Sequence, residues 1–190
     1  WLLLFALLRD IVIEGGFCMD AHPLQSSCTP ADEASEVIQR YADMVYRIAR
    51  VQMKNPHDAD DVFQDVFLAY VRSDLTFEDE THRKAWLIRT TLNRCKKWFG
   101  SAWFQKTVPL DDTIPAADLP EHLELWDAIQ RLPKQYRTVL SLFYGEQMQA
   151  AEIGAALGIQ EKTVRMQLTR ARRKLKKELE SEETADGISS

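Results

Sequence analysis

Apolar positions recur every three or four residues through most of the chain, the period of one helix face rather than of a strand. From Glu36 to Val51, the positions Val37, Ile38, Tyr41, Met44, Val45, Ile48 and Val51 share one face and predict a first helix. Asn55-Pro56 then reads as N-cap and first helical position, with Asp58, Asp60 and Asp61 in the first turn, where the helix dipole favours anions. The second helix runs to about Arg72. Its inner face is Ala59, Val62, Phe63, Val66, Phe67 and Tyr70, and its outer face Asp58, Asp61, Asp65, Leu68 and Arg72. An acidic, irregular stretch from Ser73 to Glu80 leads to a third helix, for which Thr81 is the expected N-cap. Ala85, Trp86, Ile88, Leu92 and Cys95 form its buried stripe, up to about Phe99.

These helices predict a first domain over 32–100. The stretch 101–121 keeps no period, contains Pro109, Pro115 and Pro120, and reads as a flexible linker. Two short amphipathic helices follow, one on Leu123, Trp126, Ile129 and Leu132 before Pro133, the other on Tyr136, Val139, Leu140 and Phe143. Ala150 to Leu175 has the layout of a helix-turn-helix. Ile153, Ala156 and Leu157 face inward on a short helix, Gly158 stands where the turn needs positive φ, and Ile159 plugs the angle. Val164, Leu168, Ala171 and Leu175 anchor a second helix. The expected fold is therefore all-α, two small helical domains (32–100 and 122–180) joined by a linker, with a polar tail over 181–190.

In such a motif the second helix lies in the major groove with its N-terminal residues at base edges. Gln160, Glu161, Lys162, Arg165, Met166 and Thr169 are then the base-side candidates, with Arg170, Arg172, Arg173 and the later lysines nearer phosphates. An ordinary helical hairpin with a basic exposed face is the plain alternative.

Charge changes the picture only once it is divided along the chain. The 190 residues carry a formal net charge of −5, which taken whole disfavours nucleic acid. Yet Thr81 to Leu110 holds seven basic residues and no acid, and Lys162 to Lys177 eight and no acid. The remaining positions balance at −20. Two cationic patches on an acidic body are the footprint of a phosphate-backbone binder; two solvated helix faces would look similar.

Cys18, Cys28 and Cys95 have no metal-ligand or CxxC spacing and fit free thiols in a reducing cytoplasm. No metal or cofactor is expected. The opening Trp1 to Leu8 is too short to span a bilayer, so no membrane insertion is expected. It also lacks a basic flank and a cleavage site. Residues 1–31 read as an extension without a role. Glu14-Gly15-Gly16 lies just ahead of Met19, as purine-rich ribosome-binding codons would, making 1–18 a translated leader under this expectation.

Leu132-Pro-Lys-Gln-Tyr-Arg137, Glu152-Ile-Gly-Ala-Ala-Leu-Gly158 and Thr163-Val-Arg-Met-Gln-Leu-Thr-Arg-Ala-Arg172 together resemble the C-terminal promoter-binding domain of extracytoplasmic-function (ECF) sigma factors. Asp58-Ala-Asp-Asp-Val-Phe-Gln-Asp-Val-Phe67, Ala85-Trp86-Leu87 and Asn93-Arg94 are similar to the N-terminal domain of the same family, so the resemblance covers about 36–178. It implies that Asp61, Gln64, Asp65, Phe67 and Leu68 dock on a coiled coil of core RNA polymerase. Stabilisation of the helix start accounts for Asp58 and Asp60, but Asp65 lies two turns in and gains nothing from the dipole.

The resemblance also implies that the third helix and its preceding loop recognise the −10 element of promoter DNA and hold a flipped base. The residues concerned are Phe77, His82, Arg83, Lys84, Arg89, Asn93, Arg94, Lys96 and Lys97. Trp86 reads as core; for Trp98 and Phe99 core and DNA readings stand equal. Gln160, Lys162, Thr163, Arg165, Met166, Thr169, Arg170 and Arg173 would meet the −35 element. A 21-residue linker extends to about 70 Å, and each domain adds about 20 Å. One chain therefore reaches two elements about 25 base pairs, or about 85 Å, apart. Asp111 and Asp112 in the linker either imitate nucleic acid or merely solubilise it. Two domains on a tether also have a form that an anti-sigma factor would clamp shut.

Two departures from the family pattern stand out. Gly154 occupies a position usually Ala, which weakens the short helix slightly. Met166 occupies a position usually small and polar, so the promoter sequence does not carry over. Competing readings are a helix-turn-helix regulator that never enters polymerase, and a metal-dependent phosphohydrolase built on His57, Asp58, Asp60, Asp61 and His82, which lacks convergent ligand spacing.

Overall fold

A computed structural model of the chain describes residues 30–73, 75–100 and 123–186. The expected leader, the linker with Asp111 and Asp112, and the last four residues lie outside the described residues. Those described form helices and no strand. Helix α1 spans Pro30–Gln52, α2 Pro56–Val71, α3 Glu80–Gly100, α4 Leu123–Arg131 and α5 Lys134–Leu140. One π-helical turn, Ser141–Gly145, precedes α6 (Ala150–Leu157) and α7 (Glu161–Asp186), so helix continues past the expected end at 180.

The start of α2 follows local chemistry. Asn55 has extended backbone, its Oδ1 accepts from His57 N at 2.9 Å, and Pro56 fills the first position, whose N–H would be unpaired anyway. The start of α3 differs from expectation. Asp79, not Thr81, closes that end: its Oδ1 accepts from His82 N at 2.7 Å and its carbonyl from Arg83 N. Glu80 then ties this end to α1, accepting from the Tyr41 hydroxyl at 2.5 Å and pairing with Arg40 and Arg83.

The inward stripes of α1 and α2 pack largely as their spacing requires, whereas α3 buries Leu87 and Thr91 with Ile88 and Cys95 and leaves the expected Ala85, Trp86 and Leu92 half-buried. Val37, Met44, Val45 and Ile48 of α1 meet Val62 and Val66 of α2 and Leu87 and Ile88 of α3, all buried. Burying one such side chain contributes about 1.5–3 kcal/mol. In the C-terminal half Trp126, Ile129, Leu140, Ile153, Val164, Leu168 and Ala171 are buried in turn. The two halves also pack on each other: α1 lies against α4, α5 and the π turn, and α3 against α6.

Candidate nucleic-acid and polymerase interface

The helix-turn-helix is built as its residues predict. Helix α6 opens with Gln149 N donating to Glu152 Oε2 at 2.6 Å, half of a capping box. It ends at Gly158 with φ 68°, the left-handed turn that glycine adopts without a Cβ penalty. Ile159 N closes the turn on Gly154 O at 3.0 Å. Gly154 does more here than weaken a helix. A Cβ on it would stand 2.8 Å from Ile159 O and 3.3 Å from Glu161 N, so this residue lets the turn and the start of α7 lie against α6.

Gln160, just ahead of helix α7, and Lys162, Arg165, Met166, Thr169, Arg170 and Arg173 on it are exposed to solvent, with Thr163 half-buried beside them. Met166 is 44% exposed, an unusual surface position for so apolar a side chain. Thr169 Oγ1 donates to Arg165 O at 3.0 Å, and Arg165 pairs with Glu161 one turn earlier. Arg172 departs from the phosphate-side expectation: its Nε donates to the Tyr144 hydroxyl at 2.9 Å, and its guanidinium lies over the Phe143 and Tyr144 rings of the π turn.

On α2 the outward row is Asp61, Gln64, Asp65 and Leu68, all exposed, with Leu68 at 49%. Val71 and Leu75 extend its apolar end. Phe67, expected in this docking set, is buried beneath it, its ring 5.0 Å from that of Phe63. Position 67 falls on the inward face of the helical period, so Phe67 supports the face from below. Asp65 pairs loosely with Arg94 of α3 at 3.7 Å, a surface contact worth little.

The third-helix candidates divide. His82, Asn93, Lys96 and Lys97 are exposed and Lys84 and Arg94 half-buried. Phe77 is half-buried, stacked on Tyr70 (5.9 Å, 11°) and set edge-on to Trp86 and His82, so it closes an aromatic cluster between α2 and α3. Arg83 turns inward, over the Phe77 ring and paired with Glu80 and Glu33. Trp86 packs half-buried against the core, while Phe99 lies under Lys134 Nζ at 3.3 Å.

Arg89 reaches the other half of the molecule. Its Nε donates to Ala156 O at 2.6 Å and its Nη2 to Ala155 O at 3.2 Å. No sequence signal linked α3 to α6, since each contact lies more than 60 residues away along the chain.

Electrostatics mark the interior rather than the exposed faces. Burial and the Glu80 hydrogen bond push the Tyr41 hydroxyl up to about 12, and that same bond holds the Glu80 carboxyl below its usual range. Burial pushes the Cys95 thiol up to about 12. Among the described residues no cluster of His, Cys, Asp and Glu is placed to hold a metal ion, and no helix is long and apolar enough to cross a membrane.

Fold and site thus define an all-α DNA-binding protein with a helix-turn-helix in one half and, in the other, an aromatic and cationic helix beside an acidic one. Comparison with known proteins narrows this class. Sigma-70 region 2 matches residues 37–105, and Sigma-70, region 4 matches residues 122–175. The ECF RNA polymerase sigma factor SigM of Mycobacterium tuberculosis is 30% identical over 144 residues, covering 74% of each chain. SigW of Bacillus subtilis is 29% identical, covering 78% of this chain and 89% of its own, and SigE of Mycolicibacterium smegmatis is 33% identical, covering 79% and 63%. The chain belongs to the ECF RNA polymerase sigma factors.

Proposed function

We propose that this chain binds core RNA polymerase through the outer face of α2 and directs initiation at promoters with −10 and −35 elements. The observation that carries this reading is the pairing, in one chain, of an exposed acidic row ending in Leu68 with a recognition helix that is acid-free from Lys162 to Lys177. Asp61, Gln64 and Asp65 offer acceptors to a basic partner, and Leu68 adds apolar area. His82, Lys84, Asn93, Lys96 and Lys97 on α3 face the −10 strand, where cations meet phosphates and the aromatic cluster adjoins unstacked bases. Arg165, Met166 and Thr169 read −35 base edges while Arg170 and Arg173 meet phosphates.

The factor does no covalent chemistry; nucleotide addition belongs to the polymerase. An anti-sigma factor would act by covering one of these faces. Charge reversal at Asp61 and Asp65 should abolish co-purification with core polymerase while leaving the helical content intact. Retained co-purification would place the docking surface elsewhere.

A further inference from the structure

Among the described residues, four large apolar side chains stand exposed: Leu68, Val71, Leu75 and Met166. The first three lie together at the end of α2 and just past it, on the docking face. Met166 stands apart on α7, at 44% exposure. A helix turns about 100° per residue, so Met166 points about 200° away from Val164 and Leu168, the buried anchors two positions to either side. The core therefore gains nothing from it.

Its neighbours on the outer face are polar or cationic. Lys162 and Arg170 lie one turn before and one turn after it, Thr169 three positions on and Arg173 seven, all exposed. Residues three and four apart are surface neighbours on a helix, so a single thioether sits in the middle of a cationic row. Water gives an apolar side chain no reward for standing there. The surrounding cations meet phosphates, contacts that position a protein on the duplex but carry no sequence information.

Methionine donates no hydrogen bond and accepts only weakly, so Met166 cannot answer the polar groups of a base edge. It can answer the one apolar group displayed in the major groove, the C5-methyl of thymine. A thioether is flexible and polarisable, which lets it close on a methyl of that size. Thr169 adds to the apolar spot. Its Oγ1 donates to Arg165 O at 3.0 Å, so the hydroxyl proton is used within the helix and the side chain offers its own methyl and an acceptor.

We propose that Met166 is the specificity-determining residue for a thymine in the upstream element, read through the C5-methyl. Another base at that place would have a polar edge desolvated against the thioether and left unpaired, at a cost that sets the preference. This contact rests on the DNA-binding reading of α7 and needs only that the face meets DNA, with polymerase or without.

Selection from a library of random-sequence duplexes tests it. The full-length chain is used once with core polymerase and once alone, as wild type, Met166→Leu, Met166→Ala and Met166→Gln, and the bound duplexes are sequenced. Wild type should select thymine at one position of the upstream element. Met166→Leu should keep that preference, while Met166→Ala and Met166→Gln should lose it there and nowhere else. Uracil in place of the selected thymine removes the methyl and nothing more. It should weaken wild-type binding about fourfold, the worth of one buried methyl, and leave binding by Met166→Ala unchanged.

An equal effect of uracil on wild type and Met166→Ala would overturn the proposal. So would a thymine preference that survives Met166→Gln, or the selection of no sequence under either condition. An upstream element selected with core polymerase but without a Met166-dependent thymine would remove the methyl contact and leave the sigma-factor reading standing. Selection by the chain alone, with the uracil effect present and nothing selected with core, would do the reverse.

Discussion

Gly154 shows how one position takes opposite meanings from sequence and from packing. Along α6 alone, Gly to Ala gains about 1 kcal/mol of helix propensity. In place, the added Cβ meets the Ile159 carbonyl at 2.8 Å, a backbone atom with little room to move. Gly154→Ala should therefore destabilise the fold by about 1–3 kcal/mol, read as a lower denaturant midpoint; a raised midpoint would mean the turn relaxes freely. Tyr41 and Cys95 make a second prediction. Both hold their protons to about pH 12 when folded, whereas the unfolded groups release them near their ordinary values of 10.0 and 9.0. Between about pH 9 and 12 the folded state binds more protons, so stability should fall as pH rises and be at its full value below pH 9. Chemical denaturation across that range should show the decline, and Cys95→Ala should flatten its earlier part.

At the level of elements, what could be read was what local chemistry decides. The Asn55-Pro56 start of α2 and the Gly158 turn follow from a side-chain acceptor and a missing Cβ, both written in adjacent residues. Asn55→Ala should cost about 1 kcal/mol, measurable as a shift in the thermal midpoint. The start of α3 was misread because Asp79 and Thr81 are both good N-caps, and only the contacts of Glu80 with Tyr41 and Arg40 decide between them. The π turn at Ser141–Gly145 had no signature either, since Val139, Leu140 and Phe143 fit an ordinary helix period. Its effect is to bring Tyr144 to Arg172 and Glu146 to Arg47. That is why Arg172 leaves the phosphate-facing set.

At the scale of the whole molecule, the division of charge marks two of the three proposed surfaces, and the acidic outer row of α2 the third. Placement within them was less legible. Phe67 and Arg83, expected in the docking and −10 sets, point inward, and Arg89 bonds carbonyls 66 and 67 residues away. Distance along the chain hides such pairs, since periodicity reports which face is buried and not against what. The net charge of −5 conceals two cationic faces on an acidic body, an arrangement suited to a factor that needs polymerase in order to hold DNA.

The central claim is that this chain supplies promoter specificity to core RNA polymerase. In-vitro transcription from a genomic promoter library tests it most directly, with core enzyme alone, with the wild-type chain and with Arg165→Ala. Wild type should give transcripts from a discrete set of start sites absent with core alone. Arg165→Ala should lose those that depend on the upstream element while still co-purifying with core. A wild-type chain that adds no specific start sites would contradict the account.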